Sequence, residues 1–260
     1  MKQQIDYSIT IAIGAPQSGV TTENKKHIAR YIKEKKKQKQ DYRVLVIDIN
    51  HEYKGMVIES IDEIPEFKNK VALLRWDSDT SGEILRQMYH AINHFNGGLL
   101  VIGEWSKLPQ HNAYAGKIID MIVAKHRHKR LDILIGFLSP SKIPIRILQN
   151  VHYFRVHETI ENIDWKKCPI DGKLGTVAQH VSTISKLKFA YIDLFDEKIF
   201  GCSEVEFVNC LKQMAQIFIS LSNVRSAKQI KHQLAAINTM ADKFILQKHP
   251  PISNIKREII

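Results

Sequence analysis

The sequence predicts an α/β fold: a mostly parallel sheet flanked by helices. Three observations carry this. Apolar runs recur at Ile11–Ile13, Val44–Ile47 and Leu99–Ile102, and in Leu131–Leu138, which Asp132 alone interrupts with charge. Each is short enough for a strand and apolar on both faces, as strands buried between two helical layers must be. Between them lie segments of helical period, such as Ile84, Leu85, Met88, Ala91 and Ile92. Strand, helix and strand within Tyr7–Ile49 make one βαβ unit, and alternation of this kind builds a doubly wound sheet.

In chain order, the first strand is expected over Tyr7–Ile13 and leads into Gly14-Ala15-Pro16-Gln17-Ser18-Gly19-Val20-Thr21-Thr22. A helix follows from Thr21 to about Lys39, with Ile28, Ala29 and Ile32 inward and Lys33, Lys35, Lys36, Lys37 and Lys39 at its far end. Cations suit a helix C-terminus, so this run is read as a solvated basic end. Strands are expected at Tyr42–Ile49 and Val71–Trp76, a helix at Ser81–Phe95 stopped by Asn96-Gly97-Gly98, and a strand at Leu99–Ile102. Next come a helix from Asn112 to Lys125, a strand at Leu131–Leu138, a short helical turn at Ile143–Gln149 and a strand at Val151–Val156.

Composition changes after Glu161. A loop over Asp164–Gly175 is followed by a small hairpin, Phe189–Leu194 and Lys198–Gly201. Two helices, Ser203–Ser222 and Arg225–Gln247, then precede Pro250-Pro251 and a tail. The expected organisation is a core over 1–160, a loop and hairpin completing it over 161–202, and C-terminal helices and tail over 203–260.

With 44% apolar residues, the 260-residue chain can bury a proper core. Its formal charge of +11 favours a polyanionic partner, DNA first. Cys168, Cys202 and Cys210 show no C-x-x-C pairing, so neither a disulfide framework nor a zinc site is expected. The N-terminus lacks the apolar core of a signal peptide, and no apolar run approaches the about 18 residues of a membrane span. A cytoplasmic protein is expected, virion-associated if the source is a virus.

The chemistry concentrates in four places. Gly14–Thr22 has the spacing of the phosphate loop G-x-x-x-x-G-K-[ST], with Val20 where the lysine belongs. Gly14, Gln17, Ser18, Gly19, Val20, Thr21 and Thr22 are the candidate nucleotide-binding residues. Inward-pointing amides at a helix N-terminus bind phosphate without any side chain, and Thr21 would set its hydroxyl on Mg²⁺. Asp48, at the carboxyl end of the second strand, is joined by Glu52. The pair could act on water or metal, or Asp48 could serve only as a cap or loop salt bridge. Leu99–Glu104 is an apolar strand ending in Gly103-Glu104. The Walker B pattern ends such a strand in Asp-Glu, the glutamate polarising the attacking water. Lys125, Arg127, Lys129 and Arg130 form a basic helix end, read as an arginine finger, a DNA contact or a plain solvated terminus.

Taken together, these residues resemble the HerA/FtsK superfamily of P-loop ATPases, which includes DNA-pumping motors and viral genome-packaging ATPases. The resemblance runs from Tyr7 to His157. It rests on the order of the loop, the strand Val44–Asp48 with His51-Glu52-Tyr53, the strand Leu99–Glu104, the basic helix end, and Ile133–Leu138 leading into Ser139-Pro140-Ser141. It implies a RecA-like P-loop NTPase fold with a C-terminal hairpin and helical appendage. It also implies ATP and Mg²⁺ as cofactors, DNA as partner, and self-association as a hexameric ring or pairing with an active ATPase relative. Departures fall where hydrolysis occurs. Val20 replaces the lysine, Gly103 the Mg²⁺-organising aspartate, and Leu138 stands where a γ-phosphate-sensing glutamine is expected. The expectation is therefore an ATPase fold with weakened or lost hydrolysis. The alternatives are an active DNA-translocating ring with a variant loop, in which Glu104 is catalytic, and a DNA-binding or adaptor module without nucleotide.

Overall fold

The computed structural model describes residues 7–76, 81–108, 112–157, 191–193 and 198–200. All belong to one compact unit, Met1–Gly201. The second unit, Cys202–Ile260, lies outside the described residues, and with it the helices expected after Ser203 and all of Cys168, Cys202 and Cys210. The loop expected over Asp164–Gly175 also lies outside them.

The strands are β1 (Ile9–Ile13), β2 (Arg43–Ile47), β3 (Met56–Val57), β4 (Lys70–Leu74), β5 (Gly98–Ile102), β6 (Leu131–Phe137), β7 (Tyr153–Val156), β8 (Tyr191–Asp193) and β9 (Lys198–Phe200). They form one sheet in the order β3-β4-β2-β5-β6-β1-β7-β8-β9. β3 through β7 pair in parallel. β8 and β9 add an antiparallel hairpin at the edge, where the sequence places one. β3 is the strand that the sequence does not announce. It has two residues, one half-buried and one exposed, too few for any periodicity to show.

The helices are α1 (Val20–Lys37), α2 (Ser81–His94), α3 (Ala113–Asp120) and the single turn α4 (Ile145–Leu148). The expected helix from Asn112 to Lys125 is α3 followed by a π-helical turn, Met121–Lys125. Asn112 caps it through its side chain, which accepts from Tyr114 N at 2.8 Å. The step from β1 to β2 runs one way along the sheet, and those from β4 to β5 to β6 to β7 run the other. Right-handed crossovers therefore set α1 on one face and α2, α3 and α4 on the other. On the α1 face Ala12, Val44, Val46, Leu99, Val101 and Leu134 pack with Ile28 and Tyr53. Neighbouring positions such as Leu45, Ile47, Leu100 and Ile135 are equally buried, because alternate side chains meet the opposite helical layer. That double burial explains the unbroken apolar runs of the sequence. No helix among the described residues is long and apolar enough to cross a membrane.

Parallel strands give the sheet two unlike edges. Loops leaving the carboxyl ends of β1, β2, β5 and β6 gather Gly14–Gly19, Asp48–Tyr53, Gly103–Glu104 and Leu138 on one edge. The basic segments before β2 and β6 emerge on the other.

Candidate functional site

β1 continues its ladder one step past the strand, Gly14 N donating to Phe137 O at 3.0 Å, and then turns sharply. Ser18 N donates back to Ala15 O at 3.1 Å. The first helical bond is Glu23 N to Gly19 O at 3.0 Å. The amides of Gly19, Val20, Thr21 and Thr22 precede it and have no place in the helical ladder. Gly19 caps α1 with φ 95°, a left-handed conformation that glycine adopts without a Cβ penalty. Gly14 is required for a different reason. A Cβ there would lie 2.2 Å from Ser18 Oγ, 2.6 Å from His157 Cβ and 2.8 Å from Val20 Cγ2. The loop is thus folded tightly onto the end of its strand.

His157 fastens that fold from the neighbouring strand. Its backbone N donates to Ile13 O at 2.8 Å, and its Nδ1 lies 3.2 Å from Ser18 O. A carbonyl only accepts, so Nδ1 carries the proton in this contact. Burial, aided by the nearby Arg155 guanidinium, lowers the ring's pKa to about 3, so it is neutral at physiological pH. Ser18 is 6% exposed, and its Oγ has no hydrogen-bond partner among the described residues. The sequence reading stops at Val156 and does not include His157 in the site. A histidine directly after a strand gives no signal without knowledge that the strand borders β1.

Thr21, the hydroxyl assigned to Mg²⁺, donates to Glu52 Oε2 at 2.8 Å. The two candidate groups are therefore brought together. Asp48 is brought close in sequence but engaged differently. Its carboxylate accepts from Glu52 N (2.8 Å), Tyr53 N (3.2 Å) and Arg75 Nε (2.8 Å), with Arg75 Nη2 at 2.6 Å. Arg75 also donates to Tyr53 O at 2.6 Å. Of the two roles open for Asp48, this geometry serves the loop anchor: both oxygens are occupied in holding the turn that presents Glu52.

Gly103, at the aspartate position, has its Cα facing the Tyr53 ring. A Cβ there would lie 3.1 Å from Tyr53 Cε2 and 3.4 Å from Ile47 O. Tyr53 is buried, and its hydroxyl accepts from Asn24 Nδ2 at 3.4 Å on the first turns of α1. Burial pushes that hydroxyl up to about 12, so it stays protonated. The ring thus crowds the space that a side chain at position 103 would enter. Behind it Gly136 lets β6 approach, since a Cβ there would meet Gly103 O at 2.2 Å.

Glu104 is 5% exposed and caps the short turn Trp105–Lys107, accepting from Ser106 N at 2.9 Å. Ser106 Oγ in turn accepts from Leu138 N at 3.1 Å, which ties the Glu104 segment to the end of β6. Burial raises the Glu104 pKa against these hydrogen bonds. β6 alone separates the β5 strand that ends at Glu104 from the β1 strand that ends at the loop.

The cluster Lys125, Arg127, Lys129 and Arg130 stands at the opposite edge of the sheet from Gly14–Thr22. β6 begins at Leu131 and runs seven residues to Phe137 before reaching the loop edge. Lys129 Nζ caps the end of α2, donating to Asn93 O at 2.7 Å and Asn96 Oδ1 at 2.9 Å. Arg127 Nη2 lies 3.3 Å from His152 Nε2.

The observed donor set fits a nucleotide's phosphates better than an ordered metal. The free first-turn amides, the Gly14 cradle and the orphan Ser18 hydroxyl suit an anion. For Mg²⁺ only Thr21 and Glu52 stand together, and the described residues hold no cluster of three metal-ligating side chains.

No family model matches this sequence, and no curated protein does. Solved structures do. The genome packaging NTPase B204 from Sulfolobus turreted icosahedral virus 2, in complex with sulfate, aligns with a TM-score of 0.51 at 15% identity, over 76% of this chain and 96% of that one. The same protein in complex with AMP gives 0.49 at 16% identity, over 76% and 98%. The N-terminal domain of zonular occludens toxin from Neisseria meningitidis gives 0.36 at 15% identity, over 58% and 76%. At such identity the first match speaks to the fold. Together with the strand order and the glycine loop between β1 and α1, it shows an α/β chain with the P-loop NTPase fold.

Proposed function

We propose that this chain is a nucleotide-binding subunit of a DNA-handling or genome-packaging assembly, with ATP hydrolysis weakened or lost. The observation that carries the reading is a phosphate loop that keeps its glycine cradle without its lysine, beside Gly103, against which the Tyr53 ring stands. A structural relative described as a genome packaging NTPase supports the assembly assigned. In this reading Gly14, Gln17, Ser18, Gly19, Val20, Thr21 and Thr22 wrap the phosphates mainly through backbone amides. Val20 contributes no charge. Lys25 does so in its place. It lies one turn below Thr21 on α1, with its Nζ 5.8 Å from the Tyr53 ring centroid. Helical side chains lean toward the N-terminus, which is the direction of the loop. Lys26 is taken by Glu23.

Thr21 and Glu52 are the groups that would hold a magnesium ion, which would supply positive charge against the phosphates. Any residual hydrolysis falls to Glu104, whose pKa burial raises above the ordinary carboxylate value. Asp48 acts by holding Glu52. The chain self-associates as a ring or joins an active relative. The core spans 1–160, is completed by 161–202 and carries 203–260 as a helical appendage.

Equilibrium titration with a fluorescent ATP analogue, and ATP turnover with and without Mg²⁺ and DNA, test the reading. Saturable binding with turnover at background is expected. Turnover that Glu104→Gln abolishes would instead establish an active ATPase. Absence of analogue binding would leave an adaptor that keeps only the fold.

A further inference from the structure

The edge of the sheet away from the loop holds most of the chain's excess positive charge. Lys33–Arg43 carries six cations and two carboxylates, and Lys125–Arg130 four cations and no carboxylate. Sequence alone keeps these runs apart, and each by itself is an ordinary basic helix end. The fold joins them. Arg43 Nη1 donates to Asn96 O at 2.7 Å, and Lys129 Nζ to Asn96 Oδ1 at 2.9 Å, so both runs are tied to the turn between α2 and β5. Strand register then lines up the starts. Lys70 sits beside Arg43, and Leu131, directly after Arg130, sits beside Gly98, while β2 and β5 are neighbours.

From β4 to β6 the row covers three strand spacings, about 14 Å. That matches about four base pairs of duplex. Lys39, Lys125 and Arg130 are exposed at this end of the strands, Lys39 just past α1 on one face and Lys125 at the end of the π-helical turn on the other. Four carboxylates share this end of the strands. Asp41, accepting from Asn69 Nδ2 at 2.8 Å, and Asp132, accepting from Ser8 N at 2.9 Å, keep their charge. With the exposed Glu34 and Glu66 they are still outnumbered by the cations of the two runs. Burial together with the Lys125 charge lowers the Lys129 pKa, which fits a crowded positive field. Membrane surfaces call for apolar residues among the cations. The large exposed hydrophobic side chains among the described residues, Val57 and Ile145, are both elsewhere. Single strands call for exposed aromatic platforms, and none appears among the described residues.

We infer that this edge is a binding surface for double-stranded DNA, with Lys39, Lys125 and Arg130 on backbone phosphates and Arg43 and Lys129 holding the two basic runs together. The inference takes its partner class from the DNA-handling reading above and is independent of nucleotide binding. It separates the polyanion from the nucleotide loop by the full length of the strands.

Fluorescence anisotropy with a mixed-sequence duplex, across a salt series, tests it on the full chain. Relative to the parent, K39Q/K125Q/R130Q is expected to bind about tenfold or more weakly at moderate salt, with a log–log salt slope shallower by about 2 to 3. Its thermal midpoint and ATP-analogue affinity should be unchanged, and K107Q/K142Q at the loop edge should match the parent. Unaltered affinity and slope in the triple variant, with the parent binding duplex, would overturn the edge alone. A parent that binds no duplex at low salt would overturn both the edge and the DNA-handling reading. A parent that binds phosphatidylserine vesicles more tightly than duplex would replace DNA with a membrane.

Discussion

The two edges of the sheet are built from the same strands yet differ in kind. At the loop edge the polar groups are few and mutually bonded: the buried Asp48 with Arg75, the buried Glu104 with Ser106, and Thr21 with the exposed Glu52. At the opposite edge they are numerous, mostly exposed and predominantly cationic. Parallel topology explains part of this. It points helix N-termini at one edge and C-termini at the other, and dipoles favour cations at the latter. It does not explain a row of cations across β4, β2 and β6, nor a tyrosine packed where a carboxylate would stand. The first edge depends on close packing, where small changes are costly. The second depends on summed charge, where single changes are cheap.

The sharpest break in that contrast is Gly136→Ala. The added Cβ would lie 2.2 Å from Gly103 O, so β5 and β6 must part beneath the loop edge. A loss of about 3 kcal/mol or more is expected, or failure to fold. Urea denaturation reads it. Lys125→Gln at the other edge should shift the same midpoint by less than about 0.5 kcal/mol.

Acid divides the edges more finely, because β7 carries one buried histidine at each end. His157 contacts Ser18 O at the loop, and His152 Nδ1 accepts from Ile9 N at 3.1 Å at the start of β1. Burial lowers their pKa values to about 3 and about 4. Both lie below the ordinary histidine value, so the unfolded chain binds more protons as pH falls. Stability is complete above about pH 6.5 and drops from there down through pH 4. The limiting slope is about 3 kcal/mol per pH unit for the pair. His27 and His126, whose pKa values burial also lowers, add to the drop; denaturation midpoints at pH 7, 6 and 5 should show it, and His152→Gln should make the slope shallower by about 1.4 kcal/mol per pH unit. A flat profile in the parent would mean that neither ring is held neutral.

Arg75→Ala comes next. It strands the buried Asp48 carboxylate and should cost about 2 to 4 kcal/mol. If Asp48 works mainly as an anchor for Glu52, Arg75→Ala should also weaken analogue binding, while Asp48→Asn combined with Arg75→Met recovers much of the stability.

Much of the fold is legible in the sequence, because strands buried on both faces must be wholly apolar and the loop glycines mark where β1 turns. The edges of the site are legible too: Gly14, Thr21, Glu52 and Glu104 all fall where parallel topology gathers strand ends. What stays hidden is lateral. Nothing along the chain says that Tyr53 faces Gly103, that His157 reaches under Ser18, or that Asn96 joins two distant basic runs. Those facts depend on strand order, and one sequence carries little record of which strand lies beside which. Tyr53 shows the limit well, since an aromatic after Glu52 reads as part of a family motif and not as the filler of another motif's vacancy.

The smallest effect is the most informative about that filler. Tyr53→Phe removes one long hydrogen bond, 3.4 Å from Asn24 Nδ2, and leaves the ring against Gly103. A change of less than about 1 kcal/mol is expected, with analogue binding and its Mg²⁺ dependence as in the parent. Tyr53→Ala opens the space and costs about 3 to 5 kcal/mol. If the ring is what keeps a carboxylate out, Gly103→Asp should be tolerated better on the Tyr53→Ala background than alone. The double variant should then show a larger Mg²⁺-dependent tightening of the analogue than the parent or either single variant. Equal tolerance of Gly103→Asp on both backgrounds would mean that the ring yields easily, and the absent aspartate would need an explanation other than packing.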